Sequence, residues 1–350
     1  MEKTVTITTK KLCTSLLITA ALGASMNMAW AAESLEDRIK TLENKLAEKS
    51  EIESDNAMSA KLYATVRPSL TYFNVKDNNR VEVTDFLSFA GIYSEAELGG
   101  GWTAMAHGEW GFDIAGDAEF GKARRASVGL SYDTYGKIAF GKDRAIDYLL
   151  HATHVDIFNH RASPFAYDQI GKDAFFTDNQ ITYANTWDTI TFMAGFKFAK
   201  GDGVDYAEQS IAGLGYDKNG LHFAVSFKST DTGAVDNTDT VAVSYAQQIT
   251  DDFYLAAMYQ DEEEIGTLDV SVGYQLTDKY KVKAGYYDFD DGVSTKASES
   301  NNGFNVTLER QFTPKLRTHI EVLTKSYDNF EDEVAFAIGL KYDIAVNWKS

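Results

Sequence analysis

Arg124-Arg125-Ala126-Ser127-Val128-Gly129-Leu130 and, a few residues on, Tyr135-Gly136-Lys137-Ile138-Ala139-Phe140-Gly141-Lys142 read as two strand-like runs. The next stretch is different. Residues 143–178 have no clear period, and strand-like sequence resumes only at Asn179-Gln180-Ile181-Thr182-Tyr183. A segment of this length without structure argues against the flanking strands unless it has a task of its own. A reading that keeps both is a closed β-barrel into which the segment folds, narrowing the interior.

The rest of the chain fits that reading. In residues 61–73, Leu62, Ala64, Val66, Leu70 and Tyr72 fall on one face, and Tyr63, Thr65, Arg67, Ser69 and Thr71 on the other. The same period of two returns at Val241/Val243/Tyr245, Leu268/Val270/Val272/Tyr274, Val282/Ala284/Tyr286, Phe304/Val306/Leu308 and Val334/Phe336/Ile338/Leu340/Tyr342. Strict alternation marks strands with one apolar and one wet face. Short turn signals (Leu98-Gly99-Gly100-Gly101, Asp217-Lys218-Asn219-Gly220, Thr277-Asp278-Lys279, Thr313-Pro314-Lys315) alternate with long polar stretches such as 229–240 and 288–302. Short turns at one rim and long loops at the other describe an outer-membrane barrel. Between residues 61 and 344 there is room for about sixteen strands, and a barrel of that size encloses water rather than a packed core. Tyr132, Tyr135, Tyr183, Tyr216, Tyr259, Tyr286, Tyr287 and Tyr342 lie near strand ends, where interfacial aromatic girdles belong. The alternative is a soluble β-sandwich or lectin-like repeat with aromatics in its core. Pro68, which cannot donate to a ladder, predicts a bulge or a late start in the first strand.

Composition narrows the class. The 350 residues hold 52 Asp+Glu against 33 Lys+Arg, with three Pro and 26 Gly. A net charge of −19 argues against nucleic acid, which requires a basic face. Mean hydropathy of −0.30 fits no helical membrane protein, but a transmembrane barrel wets every second residue and averages like a soluble chain. Lys3, Lys10 and Lys11 precede an apolar run from Leu12 to about Met26, and Ala29-Trp30-Ala31 offers a cleavage site, so residues 1–31 read as a secretory signal peptide. The sole cysteine, Cys13, lies inside it, which leaves no disulfide or thiolate metal site beyond it. With its three Lys and one Glu removed, the remaining chain carries −21.

Residues 32–50 carry Leu35, Ile39, Leu42 and Leu46 at spacings of 4, 3 and 4, a heptad seam among charged neighbours. Two heptads are marginal alone. The segment is either an exposed helix or linker, or a periplasmic coiled coil held together by other contacts. Arg38-Ile39-Lys40-Thr41-Leu42-Glu43 is similar to the Arg-to-Glu pattern of three-stranded coiled coils. Residues 51–60 read as linker and 61–350 as the barrel.

Several pieces in order carry a family resemblance: Leu62-Tyr63, Phe89-Ala90-Gly91, Glu97-Leu98-Gly99-Gly100-Gly101-Trp102-Thr103-Ala104, Glu109-Trp110-Gly111-Phe112, residues 124–130 and 135–142, and Asp178-Asn179-Gln180-Ile181-Thr182-Tyr183. From residue 61 to the C-terminus the chain resembles the general porins of Gram-negative outer membranes. The resemblance implies a 16-stranded antiparallel barrel with an inward third loop, here 143–178. It also implies a homotrimer in outer-membrane lipid and lipopolysaccharide, placed there by the barrel-assembly machinery and passing small hydrophilic solutes. Three departures stand out. Tyr342-Asp343-Ile344 is followed by 345–350 rather than ending the chain on an aromatic residue. Phe175-Phe176-Thr177 replaces an arginine before the Asp-Asn strand, and Ser163-Pro164-Phe165-Ala166 replaces the usual loop stretch.

Such a site is a field rather than a reaction, with basic wall residues set against acidic loop residues; no enzyme and no cofactor are implied. The wall candidates are Arg67, Arg124, Arg125, Lys137, Lys281, Lys283 and Arg317. Arg124 and Arg125 are adjacent, so one of them faces the lumen whatever the register. Arg124 matches the family position, while alternation from Val128 and Leu130 favours Arg125. Loop candidates are Asp143, Asp147, Asp156, Asp168 and Asp173. His151, His154 and His160 with Asp156 could hold a metal, but irregular spacing favours ordinary lumen-lining histidines. The excess of acid predicts a mild preference for cations. Other readings are a channel selective for an oligosaccharide or an anion, with Tyr148, Phe158 and Tyr167 along the lumen, and a barrel serving as adhesin or envelope tether.

Overall fold

A computed structural model describes residues 57–76, 78–116, 120–159, 165–170, 174–199, 208–231, 237–295 and 297–349. The signal segment, the heptad segment and residues 51–56 of the linker lie outside the described residues.

The chain forms one antiparallel barrel. β1 (Met58–Val66) and β2 (Pro68–Val75) are two halves of a first stave interrupted at Arg67, and β3 (Asn78–Asp85) and β4 (Phe89–Gly99) are two halves of a second. The remaining staves are continuous: β5 (Trp102–Phe112), β6 (Phe120–Tyr132), β7 (Gly136–Arg144), β8 (Phe176–Trp187), β9 (Ile190–Lys197), β10 (Gln209–Lys218), β11 (Leu221–Thr230), β12 (Thr238–Gln248), β13 (Phe253–Glu262), β14 (Ile265–Thr277), β15 (Tyr280–Asp290), β16 (Asn301–Thr313), β17 (Leu316–Tyr327) and β18 (Glu333–Lys349). Sixteen staves result, each paired with its neighbours, and β18 closes the ring on β1 and β2.

The first stave is interrupted next to Pro68. Toward β18 the register holds, from Val66 opposite Tyr342 to Ser69 opposite Gly339, with Arg67 and Pro68 outside the ladder. Toward the second stave it slips by one, from Thr65 opposite Phe89 to Pro68 opposite Asp85, so the expected irregularity is present and its extra residue lies in the second stave. The barrel begins at Met58, three residues before the boundary read from the sequence. β18 continues past Ile344 to Lys349, with Trp348 opposite Ala60, so the residues after Ile344 belong to the last strand. At the short-turn rim the chain reverses on Gly99, Gly100 and Gly101, all at positive φ (82°, 61° and 84°), a run that side chains with a Cβ resist.

The apolar side of the alternation faces outward. Phe304, Val306 and Ile338 are 58%, 51% and 50% exposed, whereas Asn305, Thr307 and Ala337, one residue away, are 2%, 0% and 1% exposed. Lipid is the environment that rewards such a surface. The wet side is buried because the described residues between 145 and 175 fill part of the lumen. That loop holds a π-helical turn (Tyr148–Ala152) running into a single α-turn (Thr153–Val155). It packs Ala152, Val155, Phe158, Phe165 and Tyr167 against Ala246, Ala256 and Met258 of β12 and β13.

Candidate functional site

The loop is fastened to one side of the barrel by polar clamps. Lys228 Nζ and Ser226 Oγ donate to Asp147 at 2.9 and 3.0 Å. The backbone N–H groups of Ala166 and Tyr167 donate to the two oxygens of Asp269 at 2.8 and 2.9 Å. Lys283 Nζ bridges the Ile157 carbonyl and Glu309, both at 2.8 Å. Ser271 Oγ reaches the Val155 carbonyl and Tyr254 Oη the His154 carbonyl, each at 2.8 Å. Loop carbonyls and amides taken from water must find such partners.

The histidines belong to this fastening. His151 is fully buried, its ring nitrogens 2.8 and 2.9 Å from Ser244 Oγ and Ser226 Oγ. His154 stacks on His222 of β11, ring centroids 3.7 Å apart, and His222 in turn contacts Asp217 and the Leu150 carbonyl, each at 2.8 Å. Burial pushes the pKa of both His151 and His154 down to about 4, so both are neutral at pH 7. His151 is thus packed into the wall and does not line the lumen as expected, while His154 is half-buried on His222. His160 lies outside the described residues, among which no group of His, Cys, Asp or Glu could hold a metal ion.

Away from these clamps a set of charged side chains converges. Loop residue Asp156 accepts from Tyr148 Oη at 2.9 Å and Tyr167 Oη at 3.4 Å. Burial raises its pKa, and the Tyr148 hydrogen bond and the nearby Arg67 and Arg144 guanidiniums offset part of that rise. Arg144 lies 4.3 Å over the ring of Tyr148 and 4.4 Å over Phe176. On the wall, Arg124 Nε donates to Glu109 at 2.7 Å, and Tyr63 Oη donates to the other Glu109 oxygen at 2.9 Å. Arg125 approaches Asp143 at 3.4 Å and His107 at 3.3 Å.

Arg124 and Arg125 both face the lumen. The β5–β6 ladder shifts between Glu109, opposite Arg125, and Trp110, opposite Ala123. A bulge puts two residues of one strand against one of the other, and alternation cannot anticipate it. A cavity of about 610 Å³ opens beside this cluster, with Lys61, Tyr63, His107, Arg125, Lys137 and Asp143 in its lining.

A second set of cations completes the wall. Arg317 is opposite Lys341, and the unbroken register through Arg67 places Lys341 beside it, so three cations stand in one cross-strand row. Lys341 is 3.6 Å from Asp343 and Arg317 is 3.5 Å from Glu309, whereas Arg67 makes no ion pair among the described residues and stacks 5.4 Å from the Phe86 ring.

The structure thus brings Arg67, Arg124, Arg125, Arg317, Asp143 and Asp156 together, with Lys137 in the adjoining cavity. Lys283 and Asp147, expected at the constriction, are engaged in anchoring the loop. Lys281 lies opposite Glu309 in the β15–β16 ladder. Asp168 is exposed on the loop, and Asp173 lies outside the described residues. Phe158 and Tyr167 are buried against the wall rather than along the lumen, although the Tyr167 hydroxyl reaches Asp156. Sequence reasoning missed Glu109, Arg144, Lys341 and Asp343 as site residues. Alternation from Leu340 and Tyr342 puts Lys341 and Asp343 on the wet face, and Glu109 opens the Glu109-Trp110-Gly111-Phe112 motif. Only pairing across distant strands shows what they meet.

Residues 17–348 match the sequence profile described as Gram-negative porin. No curated protein matches the chain in sequence. Among solved structures, the anion-selective porin from Comamonas acidovorans superposes with a TM-score of 0.69 at 15% identity, covering 82% of this chain and 100% of that one. OmpF of Salmonella typhi, in complex with daunomycin, gives 0.64 at 14%, covering 82% and 97%. The trimer form of Vibrio cholerae OmpT gives 0.60 at 17%, covering 82% and 99%. At these identities the likeness is one of fold.

Proposed function

We propose, for a chain that belongs to the Gram-negative porin family, a water-filled outer-membrane channel that passes ions and small hydrophilic solutes by diffusion. The observation that carries this reading is the partly filled lumen. The inward loop is fastened to β11–β17, and a charged gap remains between Asp156 and the wall of Arg67, Arg124, Arg144, Arg317 and Lys341. Charges held in a narrow, low-dielectric passage sort solutes by sign. A homotrimer is the assembly we infer, supported by family membership and by the trimer form of a structural neighbour. Planar-bilayer recordings of the purified protein test the reading. Stepwise conductance increases are expected, and a protein that inserts without steps would overturn it.

The preference for ions divides two lines of reasoning. Charge summed along the chain favours cations. Much of that charge stands at the long-loop rim, where Glu263, Glu264, Asp290, Asp328, Glu331 and Asp332 are exposed to water and screened within about 8–10 Å at physiological salt. Within the gap, cations outnumber the carboxylates that partner them. We therefore infer that anions are favoured at the constriction. The reversal potential in a salt gradient decides between the two, since its sign differs.

A further inference from the structure

The cavity of about 610 Å³ beside the gap has walls of opposite character. Its volume falls in the range of about 300–1,000 Å³ typical of pockets that take small ligands. One wall is apolar. Ile146 and Leu149 of the inward loop and Met193 of β9 form it. Leu149 is 41% exposed, although Leu150, Val155 and Phe158 of the same loop are buried. An exposed leucine alone says little; this one shares a cavity with an excess of positive charge. Lys61, Arg125, Lys137 and Arg144 line it against a single carboxylate, Asp143. Lys61 lies 5.6 Å from the centre of the Tyr63 ring, and neither it nor Lys137 makes an ion pair among the described residues. Arg125 reaches Asp143 at 3.4 Å, and Asp143 also accepts from Ser127 Oγ at 2.9 Å. The third feature is aromatic. Tyr63 and Tyr93 stand edge to face with His107, ring centroids 6.0 and 5.3 Å away. Two further carboxylates beside these rings are engaged: Glu95 accepts from Tyr93 Oη at 2.5 Å, and Glu109 pairs with Arg124 at 2.7 Å.

We propose that this cavity is a binding site for a small carboxylate that carries an apolar ring, of the benzoate type. Its carboxylate lies among Arg125, Lys137 and Lys61, and its ring lies between the Ile146–Leu149–Met193 wall and the Tyr63–Tyr93–His107 cluster. Both halves of the lining select this occupant. An inorganic anion would answer the cations but leave the apolar wall wet, and a neutral sugar would leave the cations unmet. A cation would be repelled. A guanidinium matches a planar carboxylate, with ammonium groups adding charge beside it. Aromatic side chains arranged edge to face accept one more ring in the same geometry, and a rigid ring gives up little conformational freedom on binding. The proposal rests on the channel reading for the route by which such a solute arrives, and on the cavity alone for its affinity.

Two measurements on the full-length protein test this, with benzoate as the probe and acetate and benzyl alcohol as controls. In planar bilayers, benzoate is expected to interrupt the open-channel current at concentrations about tenfold below those of either control, because ring burial and charge pairing both contribute. Saturation-transfer NMR in mild detergent reads the same contact through the benzoate ring protons, without conductance. Leu149→Asn, which wets the apolar wall, should weaken benzoate about three- to tenfold and leave acetate unchanged. The double variant K61Q/K137Q should weaken benzoate by about the same factor and leave benzyl alcohol unchanged. Gel mobility with and without boiling confirms that each variant is folded; should the double variant fail that check, Lys137→Gln alone is expected to weaken benzoate about threefold. Benzoate that binds no more tightly than acetate, or that is indifferent to these variants, would overturn the proposal. Current steps with neither interruption nor saturation transfer would refute the site and leave the channel standing. Saturation transfer from a protein that gives no steps would keep the site and refute the channel.

Discussion

Arg124 and Arg125 are adjacent in sequence, yet both reach the lumen, because the strand carries an extra residue opposite Glu109. Alternation assigns neighbours to opposite faces, and a bulge breaks that rule at a functional position, where such breaks concentrate. The same limit applies to Lys283. Alternation placed it on the wet face, but its environment depends on the loop above it: Nζ meets Glu309 and the Ile157 carbonyl, with both ion-pair side chains about 6% exposed. Removing one partner of a buried pair leaves the other charge without compensation, at a cost of about 3–5 kcal/mol. Lys283→Met is therefore expected to lower the unfolding midpoint in denaturant, while the double variant with Glu309→Leu recovers most of the loss; equal destabilisation by both would show that Glu309 is already paired through Asn159 and Arg317. Glu109→Gln makes a complementary test. It removes the carboxylate that Arg124 and Tyr63 share and leaves an uncompensated guanidinium in the gap. The reversal potential should move toward anions, and an unchanged potential would mean that Glu109 does not act on the permeating ion.

The loop of residues 145–175 was legible in the sequence as an interruption, not as a shape. Its length and lack of period marked it, but the clamps that position it come from β11 to β17, up to about 160 residues away in the chain, as with Asn159 and Glu321. Its histidines are the clearest case, since type and spacing are the same whether an imidazole lines water or packs against serines. Their burial makes the docked loop sensitive to pH. His151 and His154 hold pKa values near 4 when docked against an ordinary 6.5. A released loop therefore binds more protons between those values, and docking is weakened as pH falls. The docked state is at full strength above about 6.5, loses stability through the window from 6.5 to 4, and loses no more below it. The groups facing the two rings are Asp147, Lys228, His222 and Asp217, and Asp217 on His222 softens the effect at His154. The protection factors of the Leu150 and Val155 amides, exchange measured against the intrinsic rate at each pH, are expected to fall between pH 7 and pH 5 in the wild type and to fall less in a His154→Gln variant. Protection factors that do not change over that interval would show that both rings stay docked when charged.

For the barrel as a whole, the deciding quantity is which side of the alternation faces out. Period, turn spacing and strand number were all readable from the sequence, because each stave repeats the same two-residue rule and the turns punctuate it. Closure was read as well, but not the residues that make it. It depends on β18 meeting β1 and β2 across the length of the chain, and on the strand continuing to Lys349, where Val346 and Trp348 carry on the alternation of Tyr342 and Ile344 past the boundary read from the sequence. A paired substitution on two neighbouring staves tests the orientation directly. Phe140 on β7 is 45% exposed on the outer face, and Thr182 on β8 lines the lumen cavity near it. An arginine on the lipid face near mid-depth costs about 2–4 kcal/mol, whereas a lumen position meets water. Phe140→Arg should then lower the stability of the folded barrel in lipid by that amount, read from denaturant unfolding in bilayers, with little change in conductance of the molecules that insert. Thr182→Arg should leave stability within about 0.5 kcal/mol, as surface substitutions generally do, and reduce single-channel conductance by crowding the cavity. The reverse pattern, a stable Phe140→Arg and a damaged Thr182→Arg, would place the apolar face inside and remove the basis for any aqueous passage.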